Sequence, residues 1–437
     1  MTTGHFQDGF ETDGSQPIRV LIVDDTAFSR RTIKGILDLQ PNIQVIGSAV
    51  DGQEALMLVE RLEPDVITLD LEMPKLSGFA FLRILMRRNP KPVVVVSSYS
   101  GRNDVLRALE LGALDFVAKP SHLATPELEK IGPTLTNKVI EASQARLDNY
   151  LKDAKPEDVT GFHSIPAILV KNDDLSRDQP GKGKNTQVST GGDSRNRSET
   201  RSGNRVPPQE ASQLTEHGAV RFFDKFMGRN VDPNTTRPVR FADLKGIVVI
   251  AASTGGPRAL RHVLKAGLPL DWAVAIVQHM PAGFTKDFAK RLARKLQLDV
   301  IEAEQGMVLV PGRILIAPGG SNMLINRRKD GLPVVSIAPP GDQNRYVPSA
   351  DVLFETSASV FGSKTIAVIL TGMGNDGVAG AEAVKNARGT VVAEDESTAV
   401  VFGMPGKAFE AGVVDHLAPL DRISPTIKAL ASTIDDS

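Results

Sequence analysis

The chain has 437 residues, too many for one ordinary hydrophobic core and enough for two domains with material between them. It holds 51 Lys and Arg against 52 Asp and Glu, and the net charge of −1 offers no field to recruit nucleic acid or an anionic membrane. Cysteine is absent, which excludes disulfides, thiolate zinc sites and cysteine nucleophiles and suits the cytoplasm.

The first residues, MTTGHFQDGFETDGSQP, are polar and mildly acidic, without the basic start and apolar run of a signal peptide. No apolar stretch reaches the roughly 18 residues that a membrane helix needs. The expectation is a disordered tail over residues 1–16 and a cytoplasmic chain without membrane insertion.

From Ile18 to about Pro120 short apolar runs (IRVLIVDD, IQVIGSAV, DVITLD, PVVVVSS, DFVAKP) alternate with helical patterns such as GQEALMLVERL. Val- and Ile-rich runs separated by helices predict a doubly wound parallel sheet covered on both faces, closed by a last helix through about Arg146.

Ligands of such a sheet sit beyond the C-terminal strand ends. Asp24 and Asp25 end the first run, Asp70 the third, Ser97 the fourth and Lys119-Pro120 the fifth. Gathered carboxylates repel unless a cation joins them, and an all-oxygen set beside phosphate suits Mg²⁺. Singly, such an Asp is a helix cap and such a Lys is solvated; in combination they mark a site.

This set, over roughly Pro17 to Leu135, resembles the receiver domain of two-component response regulators. The resemblance implies that Asp70 accepts a phosphoryl group from a histidine kinase. It implies that Asp24, Asp25 and Asp70 hold Mg²⁺ with the main-chain carbonyl of Glu72. Ser97 and Lys119 would sense the phosphoryl group, and Phe116 stands at the place of the aromatic switch. The expected receiver spans 17–146.

Between about Lys155 and Arg240 the pattern collapses into polar, Gly, Pro and charged residues, predicting a largely disordered linker over 147–240. Two apolar islands, near Phe162 and Val220, are candidates for docking or for no more than local stickiness.

From Phe241 the alternation returns, with strand runs GIVVIAAS, AVAIVQH, DVIEAE, RILIAPGG, TIAVILTG and TVVAED and intervening helices. The fold class is therefore α/β, two doubly wound parallel-sheet domains joined by a long linker, the second spanning 241–437.

Ser253 ends GIVVIAAS and precedes Thr-Gly-Gly-Pro and a helix. Three readings compete: a phosphate cradle, a capped structural turn, or a nucleophile. The cradle lacks G-x-G-x-x-G and an acidic residue at the next strand end. A nucleophile needs a base and an orienting carboxylate. His279 ends the adjacent strand run, and Asp376 lies in LTGMGNDG after another. The glycines around Met373 let backbone N–H groups face an oxyanion.

ASTGGP, VQHMPAGFTKDFAKRL, PSADVLF, LTGMGNDG and VFGMPGKA, within Lys245 to Leu430, resemble the catalytic domain of the chemotaxis-specific protein-glutamate methylesterase. The resemblance implies Ser253 as nucleophile, His279 as general base, Asp376 as its orienter and the Met373 backbone at the oxyanion. It implies demethylation of chemoreceptor glutamyl esters, with deamidation of glutamines, under control of the receiver. Expected partners are methyl-accepting chemotaxis receptors and the chemotaxis histidine kinase, with no nucleic acid; the esterase is expected to need no cofactor. Asn322 and Tyr346 stand where that family commonly has histidine. A binding-only output domain and an esterase for another substrate are the rival readings.

Overall fold

The structure, a computed structural model, describes residues 16–98, 101–119, 131–148, 244–341 and 346–435. Residues 1–15 of the expected tail, the two apolar islands and nearly all of the expected linker lie outside the described residues.

The first sheet is built from β1 (Ile18–Val23), β2 (Ile43–Ala49), β3 (Val66–Leu69), β4 (Val93–Ser98) and β5 (Asp115–Lys119), all parallel in the order β2-β1-β3-β4-β5. Its helices are α1 (Ala27–Asp38), α2 (Gly52–Leu62), α3 (Gly78–Arg88), α4 (Arg102–Leu111) and α5 (Gly132–Ser143). The helix starts follow local chemistry: Asp51 accepts the Gln53 and Glu54 amides ahead of α2, and Ser77 accepts that of Ala80 ahead of α3. The last helix stops at Ser143, short of Arg146. The chain reverses its direction of winding between β1 and β3, so Asp24 and Asp70 flank the switch point.

The second sheet has seven parallel strands: β6 (Ile247–Ala252), β7 (Ala273–Gln278), β8 (Val300–Glu302), β9 (Ile314–Ile316), β12 (Thr365–Ile369), β13 (Thr390–Glu394) and β14 (His416–Ala418), ordered β14-β13-β12-β6-β7-β9-β8. An antiparallel hairpin of β10 (Asn322–Arg327) and β11 (Pro333–Ala338) interrupts the βα rhythm. The helices are α6 (Gly256–Lys265), α7 (Phe284–Leu296), α8 (Ala350–Phe361), α9 (Val378–Asn386), α10 (Met404–Glu410) and α11 (Leu420–Asp435). β6 and β7 are buried along their whole length, as strands covered on both faces must be. One face packs under α6, α7 and α11, the other under α8, α9 and α10. The switch point lies between β6 and β12, beside Ser253.

Residues of the two sheets' layers share one hydrophobic cluster. Phe116 of β5 packs on Phe284 of α7 with ring centroids 4.4 Å apart. Val400, Val401 and Met373 join a second cluster with Leu135 and Val139 of α5. No described helix is long and apolar enough to cross a membrane.

Candidate active site and acidic pocket

Asp24, Asp25 and Asp70 each offer a carboxylate oxygen within 4.8 Å of the others. Asp24 is buried and Asp25 exposed. Lys119 reaches in from β5, 2.7 Å from Asp24 and 2.5 Å from Asp70. Burial pushes the Asp24 carboxyl up, against the pull of Lys119. Burial opposes the charge on Lys119, but Asp70 and Asp24 outweigh it and raise its pKa. Three clustered acids at the switch point, with one exposed side, suit a hard divalent cation. The Glu72 amide donates to Asp70 Oδ1 at 3.3 Å and its side chain is exposed. Ser97 is buried on β4 opposite Ala118 and makes no hydrogen bond with Asp70.

On the second sheet, Ala252 pairs with Gln278, so the next residues, Ser253 and His279, leave adjacent strand ends. Ser253 also adjoins the segment after β12, since its N–H donates to the Thr371 carbonyl at 3.0 Å. Gly255, at φ +79°, turns the chain into α6, and Pro257 sits in its first turn where no N–H is missed. The Gln278 amide donates to the Ser253 carbonyl at 2.9 Å and holds the turn. Gly372 backs the serine: a Cβ there would lie 2.7 Å from Ser253 Cβ.

His279 Nε2 lies 2.7 Å from Asp376 Oδ2. Asp376 is 2 % exposed. It also accepts the Ser349 hydroxyl at 3.0 Å and the amides of Ala350 at 2.7 Å and Asp351 at 3.1 Å, the first turn of α8. Burial opposes its ionisation, but the His279 hydrogen bond and charge, with those amides, hold its carboxyl below the ordinary range. The Ser253 hydroxyl makes no hydrogen bond with His279 in this arrangement. Among the described residues, the N–H groups of Met373 and of Thr254 donate to no acceptor.

Two residues here, Tyr346 and Ser349, have no role in the sequence reading. Tyr346 stacks on His279, centroids 5.1 Å apart and planes within 9°. Gly374, at φ +95°, makes room for its hydroxyl. Ser349 caps α8 and ties Asp376 to the Asn322 side chain, which accepts the Ser349 amide at 2.9 Å. The PSAD stretch carried a cap signal for Ser349; nothing local marked Tyr346 as a stacking partner.

Thr254 is wholly buried and faces the first domain. Its hydroxyl lies 2.6 Å from Asp115 Oδ2, within reach of Glu141, and accepts from Lys138 at 3.2 Å. Lys138 bridges Asp115 at 2.7 Å and Glu141 at 3.0 Å. Burial works against its charge, but the two carboxylates prevail and raise its pKa. Glu110 of α4 takes Arg291 in a forked pair and Lys295 at 2.7 Å.

An acidic pocket at the switch point of one doubly wound sheet and a Ser, His and Asp constellation at that of a second define the class: a response regulator with a hydrolase output domain. Residues 20–129 match the response regulator receiver domain family and residues 248–427 the CheB methylesterase family. A protein-glutamate methylesterase/protein-glutamine glutaminase 3 of Geobacter sulfurreducens is 40% identical across 94% of this chain and 96% of its own. The Moorella thermoacetica protein-glutamate methylesterase/protein-glutamine glutaminase is 39% identical across 95% and 99%. The crystal structure of the Thermotoga maritima CheB methylesterase catalytic domain aligns with a TM-score of 0.40 at 41% identity, covering 42% of this chain and 98% of that one. The chain belongs to the protein-glutamate methylesterase/protein-glutamine glutaminase family.

Proposed function

We propose that the chain is a phosphorylation-activated serine hydrolase that demethylates glutamyl methyl esters of chemoreceptors and deamidates their glutamines, in the cytoplasm. The domains in this reading are a receiver over 17–146, a linker over 147–240 and a methylesterase over 241–437. The observation that carries it is the pairing of His279 with the buried Asp376 at a strand end adjoining that of Ser253.

Ser253 Oγ attacks the ester carbonyl as His279 takes its proton, which requires a side-chain movement that brings the two together. The negative oxygen of the tetrahedral intermediate is held by the Met373 and Thr254 amides. Collapse returns the proton from His279 to the leaving methoxide and frees methanol. Water then enters by the same route, releasing the glutamate carboxylate and restoring Ser253. With a glutamine substrate the leaving group is ammonia. Asp376 keeps the imidazole oriented and compensates its charge.

In the receiver, Asp70 is the phosphoacceptor and a histidine kinase the donor. Asp24, Asp25, Asp70 and the Glu72 carbonyl would hold Mg²⁺, which neutralises phosphoryl charge when bound. Phosphorylation adds a charge of about −1.5 to −2. Lys119 and Ser97 turn toward it, and Phe116, packed on Phe284, carries the change to α7.

The test is mass spectrometry of methyl-esterified receptor fragments incubated with the full chain, with and without a small-molecule phosphoryl donor. Loss of 14 mass units per ester (~14, one CH₂) in the native chain but not in Ser253→Ala supports the reading. Equal loss in both ends it.

A further inference from the structure

We infer that α7 presents a docking stripe, Lys286–Lys290–Arg294, for an acidic helix of the protein substrate; this rests on the hydrolase reading above. In a chain of net charge −1, helices α6 and α7 carry eight lysines and arginines against a single aspartate. On α7 these fall into two parallel stripes at i, i+4 and i+8 spacing.

The stripe of Asp287, Arg291 and Lys295 is fully occupied by the receiver. Arg102 at the start of α4 pairs with Asp287 at 3.0 Å, and Glu110 near its end pairs with Arg291 and Lys295. Helix α4 thus lies along α7 by charges two turns apart on each side. Burial opposes the Glu110 charge, but its two cationic partners win and lower its pKa.

The neighbouring stripe has no such occupant. Lys286, Lys290 and Arg294 are exposed and make no ion pair with any described residue. Like charges at i, i+4 weaken a helix, and a cation in the first turn opposes the helix dipole. The arrangement therefore costs the isolated fold and is repaired by an external anion. Its span is about 12 Å, two turns of a facing helix. Helix α7 begins five residues after His279, so the stripe starts close along the chain to the candidate catalytic base. An acidic helix laid on it places its own side chains at the mouth of the Ser253 site. When the receiver lifts away, Arg291 and Lys295 widen the same surface.

The experiment compares the full chain with Lys286→Glu/Lys290→Glu/Arg294→Glu and with Lys286→Gln/Lys290→Gln/Arg294→Gln. The substrates are a helical, methyl-esterified receptor fragment and a short neutral peptide with one glutamyl methyl ester. The expected result for the fragment is a KM raised on the order of tenfold by reversal and less by neutralisation, with kcat unchanged. For the native chain, KM rises with salt, and the short ester responds to neither variant. An unchanged fragment KM in both variants overturns the proposal, as does equal loss on both substrates. So does an unchanged fragment KM accompanied by lost binding to anionic vesicles or a DNA duplex. Should the native chain cleave neither ester, the hydrolase reading fails alone. The docking proposal is then decided by fragment binding to the Ser253→Ala chain: binding lost on charge reversal supports it, and equal binding overturns it.

Discussion

Thr254 of the esterase domain and Asp115 of the receiver meet through a 2.6 Å hydrogen bond, one residue from the candidate nucleophile. A single hydroxyl hydrogen is shared there between the buried Asp115 and the half-buried Glu141, with Lys138 paired to both. The receiver thereby holds the turn that carries Ser253.

Thr254→Val keeps the shape and removes the hydroxyl. Loss of a hydrogen bond to charged groups, roughly 1.5 kcal/mol, shifts a two-state contact by up to about tenfold. Basal methanol release is expected to rise toward that limit while stimulation by a phosphoryl donor shrinks. Unchanged basal and stimulated rates would show that this contact does not restrain the enzyme.

Asp376→Asn is expected to lower kcat by about 10³ to 10⁴, because the amide cannot hold the same imidazole tautomer and charge. The Ala350 amide also depends on Asp376 Oδ2, so unfolding by denaturant should reveal a loss of roughly 1–3 kcal/mol. A variant with native kcat removes the orienting role.

Lys119 occupies the acidic pocket with its charge, close to both Asp24 and Asp70. Lys119→Met is expected to bind Mg²⁺ more tightly, on the order of tenfold, by titration calorimetry. The same variant should lose activation by the phosphoryl donor. Weaker Mg²⁺ binding would contradict the competition between lysine and metal.

Burial, aided by the charge of Asp376, pushes Asp351 up to about 6 from its ordinary 3.8. Between those values the folded chain keeps a proton that the unfolded chain has released, so stability falls as pH rises through this window. Asp351→Asn cannot titrate, and its amide oxygen can still accept from Gly377 and Gly380. Relative to the native chain, the variant should gain stability from pH 4 to pH 7. Parallel stability curves for the two would refute the shift.

The two sheets were legible because buried parallel strands write themselves as Val and Ile runs. Their ends carry Asp24, Asp70, Lys119, Ser253 and His279, so the strand pattern by itself points to these residues. The β10–β11 hairpin was not anticipated, since NMLINR and PVVSIA carry no stronger signal than the parallel strands around them. Helix α8 gave only a motif, and α10 is too short to show periodicity. The stacking of Tyr346 on His279 joins residues far apart in the chain, and the grip on Thr254 depends on how two domains pack. Neither is encoded in local pattern.

Asp376 takes three hydrogen bonds from the start of α8 besides its contact with the imidazole. A descendant that abandoned chemistry would be free to replace Ser253 or His279, but replacing this carboxylate would unseat a helix. Relics of such an enzyme should thus keep the aspartate long after the serine and histidine have drifted, and its presence alone is a poor guide to whether a sequence still turns over.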